Sequence, residues 1–149
     1  LARALIVGCG CRGRELGGRL LAQGWQVRGT SRREQGLAAI ESAGIEPALA
    51  DPALPGTVLD LVSDVAAAYW LLGSASGPAE NLAEIHGDRL EALLERLVET
   101  PLRRFVYEAS GSVDGGLLEQ GSAIVRAAGK RWRIPVTVAD REVDIAKLG

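Results

Sequence analysis

One stretch constrains this chain more than any other. Gly8-Cys9-Gly10-Cys11-Arg12-Gly13 stands directly behind the apolar run Ala4-Leu5-Ile6-Val7, and Leu16, Leu20 and Leu21 follow it at helical spacing until Gly24. A buried strand, a glycine-rich turn and an amphipathic helix are therefore predicted in that order. In such a turn the first glycine permits the tight bend. The second lets a pyrophosphate approach the backbone, and the third lets helix and strand pack closely. The free N–H groups and partial positive charge of the helix N-terminus favour phosphate. Gly8, Gly10, Cys11, Arg12 and Gly13 are accordingly candidate dinucleotide contacts. A plain βα turn that needs glycine and binds nothing is the bland alternative.

The same alternation continues along the chain. Strands are predicted at Trp25–Gly29, Ile45–Leu49, Val65–Leu72, Phe105–Tyr107 and Pro135–Val138, with helices at Glu34–Ala43, Ala79–Val98 and Leu117–Trp132 and a turn or two over Thr57–Val62. The uninterrupted apolar run Val65–Leu72 reads as a strand buried on both faces. Strands linked by crossover helices imply an α/β fold with right-handed connections: a three-layer, doubly wound parallel sheet of about six strands in the order 3-2-1-4-5-6. At 149 residues, one domain over positions 1–149 is expected, without a separate substrate domain.

Composition narrows the partners. A net charge of −2 and 4% aromatic residues argue against nucleic acid. No apolar run is long enough to span a bilayer, so no membrane partner is expected. Two cysteines one residue apart form no disulfide framework, and the cytoplasm is the expected compartment. Cys9 and Cys11 with the single His86 fall short of a closed zinc site, and no metal is expected. The cysteines read better as small residues in a tight turn than as a reactive thiolate beside the helix N-terminus.

The end of the second strand selects between dinucleotides. NAD sites place Asp or Glu there for the ribose 2′-hydroxyl, whereas arginine accommodates the 2′-phosphate of NADP. Here the residues are Thr30-Ser31-Arg32-Arg33, with no carboxylate before Glu34. Thr30 or Ser31 could donate to the phosphate, and Arg32 or Arg33 could grip it with a planar fork. Arg12 is a third arginine candidate on the same side. NADP is therefore expected over NAD. Asp51, after the third strand, fits either an adenine-amino acceptor or an Asp-Pro turn. Gly73 and Ser74, after the fourth strand, could line the cofactor's path or form a simple loop.

With Gly8–Gly13, the TSRR stretch and Arg103-Arg104-Phe105-Val106-Tyr107-Glu108-Ala109-Ser110-Gly111-Ser112-Val113 together, the chain resembles the short-chain dehydrogenase/reductase superfamily. It looks closest to the extended and atypical, epimerase/dehydratase-like branch. The resemblance implies a Rossmann fold, a nicotinamide cofactor, an unidentified small-molecule substrate, and dimerisation through long helices. It also implies a catalytic serine after the fifth strand, filled by Ser110 or Ser112, and a Tyr-x-x-x-Lys pair on the next helix. Lys130 could fill the lysine position, but Arg126 stands where the tyrosine belongs. Tyr69 and Tyr107 lie in apolar strand runs and read as core. The chemistry expected is that of an oxidoreductase or epimerase-like enzyme; the alternative is a non-catalytic dinucleotide sensor. Glu108 is open between a general base, a ribose contact and a solvated strand end. His86 reads as a packed or interface histidine. Gly87 beside it could admit a second helix, which makes the helix around Leu82–Val98 the candidate homodimer surface.

Overall fold

A computed structural model describes residues 2–140. Six parallel strands form one open sheet in the order β3-β2-β1-β4-β5-β6. They are β1 (Arg3–Val7), β2 (Gln26–Ser31), β3 (Glu46–Leu49), β4 (Ala67–Trp70), β5 (Arg104–Glu108) and β6 (Val136–Ala139). The reversal of order falls between β1 and β4, where Ile6 lies beside Tyr69 and Val7 beside Trp70. The helices are α1 (Cys11–Ala22), α2 (Leu37–Ser42), α3 (Pro55–Leu59), α4 (Ala79–Ile85), α5 (Asp88–Leu97) and α6 (Gly115–Trp132). This is the doubly wound sheet expected from the alternation of runs.

Two apolar clusters sandwich the sheet, as the two-faced burial of parallel strands requires. On one face Ala4, Ile6, Tyr69 and Val106 meet Leu16 and Leu20 of α1 and Ile40 of α2. On the other Leu5, Val7, Trp70, Phe105 and Tyr107 meet Leu90, Leu93, Leu94 and Leu97 of α5 and Val125 of α6. The apolar stripe of the helix around Leu82–Val98 is thus largely buried within the chain.

Two elements depart from expectation. The single helix over Ala79–Val98 is broken at His86-Gly87, which separates α4 from α5. A Cβ on Gly87 would run into the Ala83 carbonyl and the Gln120 amide of α6. The glycine therefore admits α6 of the same chain, not a helix of a second copy. The break also turns His86 inward, where it is fully buried. The stretch after β2 begins as a 3-10 turn over Glu34–Gly36 before α2 starts at Leu37. Among the described residues, no helix is long and apolar enough to cross a membrane.

Candidate functional site

The glycine turn has the geometry its sequence requires. Gly8 has φ +86°, a conformation that side chains disfavour, and a Cβ there would collide with the Leu71 carbonyl of the neighbouring β4 end. A Cβ on Gly10 would meet nothing within 4 Å, so the backbone faces open space there. A Cβ on Gly13 would press on the Gly8 carbonyl at 3.1 Å and on Ile6 at 3.2 Å, which is the close contact of α1 with β1. Gly10 is the N-cap of α1 without a side-chain cap, and the first helical amides have no intrahelical acceptor.

Above this turn lies a cavity of about 530 Å³, within the ~300–1,000 Å³ of typical small-molecule sites. Its walls are the turn from Gly8 to Arg14, the end of β2 (Thr30, Ser31, Arg32), Asp51–Ala53 after β3, the segment 71–76 without Gly73, and Asn81, Leu82 and Ile85 of α4. It opens at the carboxyl edge of the sheet beside the switch point, where open α/β sheets bind ligands.

The cavity brings most of the expected residues together, in unequal roles. Arg32 is exposed at the rim and donates from Nη2 to the Ser76 carbonyl across the opening, at 3.3 Å. Thr30 is buried; its Oγ1 accepts from the Gly8 N–H at 3.2 Å and its carbonyl from the Cys9 N–H at 3.0 Å. It braces the turn against β2. Ser31 Oγ is engaged locally with the backbone of Arg33, accepting from its N–H at 3.1 Å and donating to its carbonyl at 2.7 Å. Arg33 is exposed and does not line the cavity. Asp51 lines the cavity while its Oδ1 accepts the Ala53 N–H at 2.9 Å. The turn reading of Asp51 is met, and the residue also faces the cavity.

Arg12 is a correction. Expected beside the end of β2, its guanidinium points the opposite way, to Glu108 at the end of β5. Nη1 lies 2.9 Å from Oε2 and Nη2 donates to Oε1 at 3.1 Å. The same Oε1 accepts the Gly73 N–H at 2.8 Å. The Glu108 side chain is 1% exposed and that of Arg12 29%. Glu108 is therefore neither a solvated strand end nor a free base: the fork and an amide occupy its oxygens. A two-point charged hydrogen bond of this kind is among the strong ones.

Gly73 is a second correction. A Cβ there would collide with the Ser110 carbonyl and sit 2.8 Å from Glu108 Oε1. The glycine lets the β5 turn close on the β4 turn, and it is not among the residues that line the cavity. The closure continues with Val113 N–H to the Gly73 carbonyl at 2.9 Å and Ser112 N–H to Ser74 Oγ at 3.1 Å.

The residues taken for catalysis do not converge. Ser110 Oγ is buried without a hydrogen-bond partner among the described residues, Ser112 is exposed, and neither lines the cavity. Lys130 is exposed in the last turn of α6. Fifteen residues of helix separate it from Gly115, or ~22 Å at 1.5 Å per residue. Tyr69 is held by Arg104. The Tyr107 hydroxyl is 2.6 Å from His86 Nδ1, and His86 Nε2 is 3.0 Å from the Leu72 carbonyl. A carbonyl only accepts, so Nε2 carries the proton and Nδ1 accepts from Tyr107. Burial holds His86 below its ordinary pKa and raises that of Tyr107, with Glu108 adding to the rise. His86 is a packed histidine. Burial pushes the Cys9 thiol up to about 11, which makes it inert; Cys11 is exposed. Among the described residues no three His, Cys, Asp or Glu side chains gather as metal ligands.

Arg14 is the residue the motif does not flag. It lines the cavity from the first turn of α1, and its charge acts on the Cys9 thiol, which packs on Gly29 of β2. Its position one residue past the third glycine was the only signal available.

Sheet order, glycine turn and edge cavity together define a Rossmann fold. Solved structures agree on that fold. A short-chain dehydrogenase/reductase superfamily protein from Agrobacterium tumefaciens with bound NAD matches 91% of this chain and 48% of its own, at TM-score 0.73 and 19% identity. UDP-glucuronic acid 4-epimerase from Bacillus cereus in complex with NAD matches 91% and 54%, at 0.70 and 18%. Vestitone reductase from alfalfa matches 93% and 56%, at 0.70 and 18%. The chain thus spans about half the length of these structures. No protein-family model matches it, and no curated protein does.

Proposed function

We propose that this chain binds a nicotinamide dinucleotide with its adenosine and pyrophosphate over β1–β3, and that it prefers NADP to NAD. The observation that carries the preference is the pair of guanidiniums on the β2 side of the cavity. Arg32 and Arg14 line it, and neither is paired with a carboxylate among the described residues. A 2′-phosphate would supply the missing anion, and a guanidinium fork suits it. The pyrophosphate would lie on the α1 N-terminus past Gly10. Asp51 would take the adenine amino group with its second oxygen. The similar epimerase and dehydrogenase structures with NAD support a nicotinamide dinucleotide as the ligand class.

Two roles follow for such a site. An oxidoreductase or epimerase-like enzyme would place its substrate beside Ser110 and Ser112. That role needs a proton donor, and both tyrosine hydroxyls are engaged inside the protein. A binding protein that responds to the dinucleotide without turning it over needs none. We favour the second role on that observation. Calorimetric titration with NADP and NAD tests the preference. NADP is expected to bind about tenfold tighter or better, a charged hydrogen bond contributing ~1.5–3 kcal/mol. Arg32→Ala should remove most of that margin and leave NAD affinity unchanged. NAD binding as tightly as NADP to the unaltered protein would reject the proposal.

A further inference from the structure

One wall of the cavity is anchored at both ends and runs along the opening between them. Gly73 and Ser74 are fixed to the β5 turn, by Val113 N–H to the Gly73 carbonyl at 2.9 Å and Ser112 N–H to Ser74 Oγ at 3.1 Å. Ile85 and His86 are fixed to the sheet. The Trp70 indole N–H donates to the Ile85 carbonyl at 3.2 Å, and His86 Nε2 meets the Leu72 carbonyl at 3.0 Å. Between these anchors, residues 75–84 supply Ala75, Ser76, Asn81 and Leu82 to the cavity lining. Residues 76–81 are all exposed, and Ile85 is the one buried residue of α4. Pro78 gives α4 no side-chain cap, and Ala75 and Leu82 pack against the core only in part. Gly77, at φ +139°, holds a bend that side chains disfavour. A stretch with so few buried apolar groups opens locally at low cost.

Arg32 ties the middle of this segment to the opposite wall. It follows β2, and its Nη2 donates to the Ser76 carbonyl at 3.3 Å, while Nη1 lies 4.0 Å from where a Cβ on Gly77 would stand. A guanidinium has five N–H donors, and the Ser76 carbonyl engages one of them. We infer that residues 75–84 form a flap over the bound dinucleotide, with Arg32 as its latch. A 2′-phosphate on the remaining donors fixes the guanidinium, and the fixed guanidinium holds the flap shut. The inference rests on the dinucleotide reading above and supplies the element that responds to the ligand. NAD, with a hydroxyl in place of that phosphate, fills the cavity without fixing the latch. The closed flap is therefore the state that NADP selects, because a ligand shifts an equilibrium only by its difference in contacts between the two states. The anchors at Gly73 and His86 confine the response to the segment between them.

The test is amide hydrogen exchange at residues 75–84 of the full chain, measured free, with saturating NAD and with saturating NADP. Saturation removes the difference in affinity, so the comparison reads the flap alone. Either ligand slows exchange by covering the cavity. NADP is expected to slow it about fivefold further than NAD, the factor that one additional hydrogen bond supplies. In Arg32→Ala, saturated with each ligand in turn, the two should protect the flap equally. Equal protection by NAD and NADP in the unaltered protein would overturn the inference. So would faster exchange with NADP than with NAD, or an excess of NADP protection that survives in Arg32→Ala. In each of those cases a dinucleotide has bound, and the reading above stands. Failure of both dinucleotides to bind would overturn the two together.

Discussion

The two sides of the sheet's carboxyl edge are built from the same kinds of residue and are used in opposite ways. On the β2 side, Arg14 and Arg32 line an open cavity with no carboxylate partner among the described residues, and the Gly10 backbone faces empty space. On the β5 side, an arginine from the same glycine turn is bound to a buried carboxylate, and two turns close over it. An arginine waiting for an anion and an arginine that already has one cannot be told apart by residue type. Their partners tell them apart. On the proposed reading the first side receives a phosphate, whereas the second holds the chain to itself.

The largest expected effect breaks the open side. Gly10 has φ −83°, which any residue adopts, and a Cβ there meets nothing. Gly10→Glu should therefore fold normally, with an unchanged melting temperature. It should lose dinucleotide affinity by about a hundredfold or more, since a carboxylate would stand in the pyrophosphate's path and repel it. A variant that binds normally would remove the cavity from consideration.

The next effect probes the closed side through stability. Arg12→Leu takes the bidentate guanidinium away from the buried Glu108 carboxylate, and should destabilise the fold by about 3 kcal/mol. Glu108→Gln removes the buried charge, keeps an acceptor for the Gly73 amide, and leaves Arg12 able to turn toward water. It should cost about 1 kcal/mol. Urea denaturation of both variants checks the order. Equal losses would mean that the pair contributes as a surface ion pair does.

These two regions also mark what was legible in the sequence. The glycine turn was legible because its demands are local: a positive φ at Gly8, an open approach at Gly10 and a tight helix at Gly13 all follow from six consecutive residues. The sheet order followed from alternating runs. The direction of Arg12 was not legible, because its partner lies 96 residues away and only the fold brings the two together. Gly73 misled for a related reason. A glycine after β4 fits a passing ligand as well as it fits a neighbouring turn, and the turn is what it meets. Arg126 in place of a tyrosine was the one sequence sign that the catalytic pair would not assemble. The position of Lys130 at the far end of α6 agrees with it.

A smaller effect concerns the wall between the regions. His86 joins α4, which lines the cavity, to the Leu72 carbonyl and to Tyr107 of β5. Burial keeps its folded pKa below the ordinary value, so below about pH 6.5 the unfolded chain binds more protons than the folded one. Its contribution is complete above that pH and is lost as the pH falls toward the folded pKa. Thermal melts should show stability declining from about pH 7 to 5, with a shallower decline in His86→Gln. An identical slope in the variant would show that His86 does not titrate on unfolding.

The smallest effect is a near-absence of change. Ser110 Oγ is buried without a partner among the described residues, so Ser110→Ala should be neutral or slightly stabilising, with dinucleotide affinity unaltered. A loss of affinity would place the β5 turn in the site after all.

Amide hydrogen exchange with and without saturating NADP tests the contrast between the two sides most directly, because it reads both in one experiment. Protection on binding is expected at residues 8–14, 30–36 and 51–53, with segment 108–113 unchanged. Protection of 108–113 as strong as that of the glycine turn, or no change at the turn itself, would contradict it.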